Sequence, residues 1–105
     1  MVVAQAGRIG RQNSKTLKYR GNITGTTTLE EYCIENSKLP GQYSVSGAII
    51  SGISNTRKLY GVLILFYTFD IQILIVSGGQ IYARDYTGNP KAWSQWSKYT
   101  RTLLS

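Results

Sequence analysis

The chain has no histidine, one cysteine and only five acidic residues in 105. Each scarcity excludes a class of chemistry. Without histidine there is no Ser-His or Cys-His pair to activate a nucleophile. The single thiol, Cys33, permits neither an intrachain disulfide nor a zinc site. It reads as a small buried hydrophobe. Three of the acids, Glu30, Glu31 and Glu35, crowd into one short stretch and read as a solvated surface. The other two, Asp70 and Asp85, are the remaining candidates for a carboxylate pair, and nothing in their spacing brings them together. An enzyme is therefore not expected, and neither is a cofactor or a bound metal. The apolar run in residues 1–6 is far too short for a secretory signal, so the expectation is a protein made in a cytosol or assembled there into something that leaves it. Leu59 to Ser77 is apolar enough to suggest a membrane helix. However, Asp70 and Gln72 fall near its middle, where charge in lipid is expensive, and its Val, Ile, Tyr, Phe and Thr favour pleated surfaces. No membrane insertion is expected.

Basic residues are plentiful: twelve Lys and Arg give a net charge of +7. The first twenty residues hold five of them and no acid. Residues 1–16, with Arg8, Arg11 and Lys15 spaced by Gly, Gln, Asn and Ser, read as a flexible basic arm without a helical period. Such an arm either docks on a larger assembly or neutralises phosphate. It has no aromatic residue on which bases could stack, so docking is the better reading. With the charge concentrated there, the folded part is mildly basic, which makes a nucleic-acid-binding β domain the weaker alternative. Residues 17–105 read as one domain. A domain this small gains from oligomerisation, because it buries a modest share of its surface alone.

The chain is organised around residues 59–86, where β-branched and aromatic residues concentrate. Three strand-like runs, 60–69, 71–76 and 80–86, are separated by short breaks, and short breaks join antiparallel neighbours. The near-continuous apolar run 60–69 reads as a central strand covered on both faces. Ile71, Ile73 and Ile75 share one face of the second strand, opposite Gln72, Leu74 and Val76. In the third, Tyr82, Arg84 and Tyr86 form a row on one face. Upstream, Tyr19 and Ile23 suit a short strand, and residues 42–46 and 48–53 read as two short strands parted at Gly47. Thr27 or Thr28 can cap a helix with Glu30 and Glu31 in its first turn, which predicts a short helix over 28–36. Residues 87–92 read as a turn-rich loop, Trp93 and Trp96 follow, and residues 97–104 read as a last strand. The expected fold is mainly β: a small antiparallel sheet or sandwich knob with one short helix and a basic N-terminal arm.

Three pieces occur in order: Leu17-Lys18-Tyr19-Arg20-Gly21-Asn22-Ile23, with Thr28-Leu29 and Tyr32 shortly after; Gly41-Gln42-Tyr43-Ser44-Val45; and Gln80-Ile81-Tyr82-Ala83-Arg84, followed by Trp93-Ser94-Gln95-Trp96-Ser97-Lys98. With the central Gly61-Val62-Leu63-Ile64-Leu65, they resemble the pyocin-knob type of domain found in tail fibres and other appendages of phages and phage-derived pyocins. The resemblance covers about residues 17–104, and its most specific part is the Ile-Tyr-x-Arg…Trp-Ser-x-Trp ending. The stretch 36–40 lengthens the link before Gly41, a departure that touches loop geometry. The resemblance implies a β-rich knob, commonly part of a trimeric fibre, that acts in attachment or as a structural unit.

The expected function is accordingly a non-enzymatic attachment or structural protein of a bacteriophage virion, a homotrimer assembled in the host cytoplasm. Its partners would be other virion proteins of capsid, baseplate or fibre, and a host cell-surface glycan is a ligand candidate. A capsid-decoration or head-fibre role, docked by the basic arm, stands beside a tail-fibre role. Tyr82, Arg84, Tyr86, Trp93 and Tyr99 are the candidate partner surface, since aromatic rings take the C–H faces of sugars and arginine supplies donors to their hydroxyls. The competing reading of the same set is internal: Arg84 stacks on Trp93 or Trp96 and pins the loop to the sheet. Trp96 is expected in the core and Trp93 at the surface.

Overall fold

The computed structural model describes residues 17–66 and 70–100. The arm residues Arg8, Arg11 and Lys15 lie outside the described residues, as do the end of the first meander run and residues 101–104 of the expected last strand.

The chain forms the mainly β, antiparallel-rich architecture expected of it. The meander is present as β4 (Leu59–Leu65), β5 (Gln72–Val76) and β6 (Gln80–Arg84), paired antiparallel in sequence order. The segments before it supply β1 (Tyr19–Ile23), β2 (Thr26–Thr27) and β3 (Gly41–Ile50), and the segments after it supply β7 (Tyr86–Gly88), β8 (Lys91–Trp93) and β9 (Ser97–Thr100). The main sheet runs in the order β1-β3-β4-β5-β6-β9, with β2 also paired to β3; β7 and β8 form a separate hairpin. β1 and β2 run parallel to β3. A parallel return needs a long crossover, and residues 24–40 are that crossover.

The crossover lies over one face of the sheet, and this sets where the core is. Inward positions alternate along each strand: Tyr43 and Val45 on β3, Leu59, Leu63 and Leu65 on β4, Leu74 and Val76 on β5, and Tyr82 on β6. Leu29 and Cys33 are brought down on them from the crossover and are almost fully buried. The two short strands expected at 42–46 and 48–53 are one strand, β3, with a bulge at Gly47. There φ is +70°, which glycine adopts without strain, and the extra residue lets Ala48 and Ile50 resume the inward row.

Three expectations are corrected. The helix over 28–36 does not form; only Ile34–Asn36 makes a short 3-10 turn. Thr27 Oγ1 and Thr28 Oγ1 each accept from the backbone N–H two residues on, those of Leu29 and Glu30, which turns the chain where a helix would begin. Leu29 sits at φ +63°. Among the described residues the central strand β4 is covered on one face, not on both: Tyr60 is 56% exposed on the other. The third meander strand stops at Arg84, so Tyr86 leaves the Tyr82–Arg84 row and enters the hairpin. What read as a loop at 87–92 is the rest of that hairpin, with Tyr86 opposite Trp93 and Gly88 opposite Lys91. No helix among the described residues is long and apolar enough to cross a membrane.

Candidate functional site

Inward alternation on β6 carries Tyr82 and Arg84 under the crossover. Arg84 is 92% buried, with 8% of its surface accessible. An uncompensated charge there would be costly, and four neighbours compensate it. Arg84 Nε donates to Gln72 Oε1 at 2.9 Å, and Nη2 donates to the Thr28 carbonyl at 2.7 Å. The guanidinium carbon lies 4.4 Å from the ring centre of Trp93 and 4.4 Å from that of Trp96. The cation therefore contacts two indoles, each contact worth about 0.5–2 kcal/mol. Burial pulls its pKa below the ordinary arginine range to about 10, with the charge of Glu30 acting the other way, and it stays cationic at neutral pH.

Gln72 completes the arrangement. It is fully buried, and its Nε2 donates to the Leu29 and Tyr32 carbonyls at 2.9 Å each. The Trp93 Nε1–H donates to the Glu30 carbonyl at 3.2 Å. Four carbonyls of one short segment, those of Thr28, Leu29, Glu30 and Tyr32, thus accept from side chains of β5, β6 and the hairpin. In a helix the first of these would be turned to backbone N–H groups four residues on. This is the second physical reason the 28–36 helix is absent: the segment's carbonyls face the sheet.

The five residues singled out from sequence are not one surface. Tyr82 is buried in the core, its hydroxyl donating to Gln80 Oε1 at 2.8 Å. Arg84 is buried as described. Both are corrected from partner surface to interior, because β6 turns this face toward the crossover. Tyr86 and Trp93 are half-buried and stack at 4.9 Å with a 33° tilt, so contacts run Tyr86–Trp93–Arg84–Trp96. Tyr99, 58% exposed, pairs with Ile81 on the opposite face of the sheet. Trp96 packs against the core cluster as expected, though it is not itself fully buried. Its buried Nε1–H has no acceptor among the described residues.

Beside the hairpin is an open cavity of about 580 Å³, lined by Ile34, Glu35, Asp70, Tyr86, Thr87, Gly88 and Lys91. Asp70 is 95% buried at φ +45°, and its Oδ1 accepts from the Ile34 N–H at 2.8 Å. Lys91 Nζ lies 3.1 Å from Glu35 Oε1. That hydrogen bond, and then the charge of Glu35, raise the Lys91 pKa, so the ammonium is fully charged at neutral pH. The groove thus offers an aromatic face, one cation and carboxylate oxygens within one rim. Sequence reasoning finds Tyr86 but misses Asp70, Glu35 and Lys91 as its neighbours, since from sequence alone the hairpin that gathers them reads as a loop. No group of three or more Cys, His, Asp or Glu able to hold a metal ion occurs among the described residues.

Comparison with protein-family models, with curated proteins and with solved structures finds no match to this chain.

Proposed function

We propose that this chain is a non-enzymatic structural and attachment module of a bacteriophage virion, a fibre or appendage knob that works as a trimer. The observation that carries the reading is the satisfied, buried Arg84. The arginine–tryptophan ending on which the pyocin-knob resemblance chiefly rests is spent on holding the crossover and hairpin to the sheet. A set used in this way suits a scaffold that keeps one shape while its loops meet different partners. The ligand side of the module is then the hairpin groove. Tyr86 offers a ring to the C–H face of a sugar, while Lys91, Glu35 and Asp70 offer charge and acceptors to its hydroxyls. Arg8, Arg11 and Lys15 would dock the module on another virion protein of capsid, baseplate or fibre.

The test is adsorption of the labelled protein to bacterial cells, in competition with purified surface polysaccharide. Tyr86→Ala and Lys91→Ala should each weaken adsorption by about tenfold, the loss of roughly 1.4 kcal/mol of contact. Lys91 is exposed at the groove's rim, so Lys91→Ala should melt near the unsubstituted protein; Tyr86→Ala also loses the Trp93 stack and should melt lower, so its adsorption is compared well below both melting temperatures. Absence of adsorption to any cell or polysaccharide, or adsorption indifferent to both substitutions, would overturn the groove as the ligand side.

A further inference from the structure

The sheet's second face is left open by the described residues. Its outward positions carry Val62 and Ile64 from β4, Ile73 and Ile75 from β5, Ile81 from β6 and Tyr99 from β9. The strand register joins them into a continuous row: Val62 stands opposite Ile75, Ile75 opposite Ile81, and Ile81 opposite Tyr99. Ile75 is 38% exposed and Ile81 40% exposed. Isolated exposed hydrophobes are ordinary, but a contiguous apolar band across four strands marks a contact surface. The outward positions of β3, which borders this band, are Gln42, Ser44, Ser46 and Ile49. No outward position of β3, β4, β5, β6 or β9 is charged, in a chain of net charge +7.

We infer that this face is where copies of this chain pack on one another. Three observations favour a second copy over a foreign partner. β4 has the near-continuous apolar sequence of a strand covered on both sides, yet the described residues cover only one side of it. Copies of a strongly cationic chain repel except across a neutral surface. In a contact between identical faces, any charge would lie close to its own like. This face meets that condition along its whole length. Its extent is also suitable. Six strands about 4.8 Å apart and roughly five residues long span about 480 Å² in flat projection. Side-chain relief takes the accessible area toward the roughly 800 Å² per partner of a standard interface. Three such faces turned toward a common axis cover one another in the proposed trimer, leaving the crossover, the Arg84 cluster and the hairpin groove on the outside.

The inference deepens the trimer of the proposed function and is independent of its ligand: a monomeric result would remove both the interface and the trimer, and leave the polysaccharide test untouched. The experiment is sedimentation equilibrium of the full chain and of two double variants, Ile75→Lys/Ile81→Lys and Ile75→Glu/Ile81→Glu. The unsubstituted protein should be multimeric at micromolar concentration. Each double variant should be monomeric with an unchanged far-ultraviolet circular dichroism spectrum, and mixing the two should restore association, because opposite charges then meet across the contact. If either charged variant fails to fold, Ile81→Thr keeps the β-branched shape and should weaken association about tenfold. A monomeric unsubstituted protein, double variants that keep its mass, a mixture that stays monomeric, or an Ile81→Thr variant that associates as tightly as the unsubstituted protein would overturn the inference.

Discussion

Arg84 is the residue on which most of the inner face depends. Arg84→Ala removes two indole contacts and leaves Gln72 Oε1 and the Thr28 carbonyl without their donor. Each orphaned group costs about 1–3 kcal/mol, so a loss of at least 3 kcal/mol is expected, which lowers the melting temperature by more than 10 °C at roughly 4 °C or more per kcal/mol. Arg84→Lys keeps the charge but not the planar stack or the forked donors, and should recover less than half of that loss in the same thermal scan. Tyr43 gives a pH prediction. Its hydroxyl donates to the Leu39 carbonyl at 2.6 Å and its ring meets Tyr32 edge-on. Burial, opposed by the charge of Arg20, raises its pKa above the ordinary 10.0. The folded state therefore holds the phenolic proton more tightly than the unfolded state. The stabilisation from that difference is complete below pH 10 and is lost as pH rises through the folded value. Denaturant midpoints should fall across that alkaline range, and fall less in Tyr43→Phe. At this scale the sequence showed which residues belong together, Arg84 with Trp93 and Trp96, but not which way they point. Strand alternation separates two faces and cannot say which one a crossover will cover.

Among the elements, the strands were legible and the connections were not. The three meander strands, their antiparallel order and the split of Ile73 and Ile75 from Gln72, Leu74 and Val76 all follow from period-two patterning and short breaks. The missing helix did not. Residues 28–36 have the cap and the acids of a helix start, and these local preferences lose to four carbonyl contacts with residues 40 to 63 positions away. Window-scale pattern cannot contain such contacts. The hairpin 86–93 was missed for a related reason: each of its strands is three residues long, too short for a period. Gly61 provides a test within the sheet. A Cβ there would press on the backbone of Ile75 and Val76 in the adjoining strand. Gly61→Ala should therefore push β4 and β5 apart and cost about 1–3 kcal/mol, as overpacking does in a filled interior. A denaturant midpoint equal to that of the unsubstituted protein would mean that the two strands approach less closely than described.

The whole molecule has two unlike faces. One is closed by the crossover, Arg84 and the two tryptophans; the other carries the apolar band and is left open by the described residues. The sequence hinted at the open face only through the length of the apolar run in β4. That run reads as burial on both sides, and a single sequence gives no sign of whether such cover comes from the same chain or from another copy. The proposed docking and self-association assign the basic charge to the arm and the open sheet face to other copies, not to a nucleic-acid groove. The most direct measurement is the solution mass of the purified chain at about 50 and about 500 mM salt, with and without an added oligonucleotide. A multimer is expected whose mass changes neither with salt nor with the oligonucleotide, since apolar contacts are not screened. A monomer that binds the oligonucleotide at low salt and releases it at high salt would contradict it, because release with salt is the mark of phosphate neutralisation.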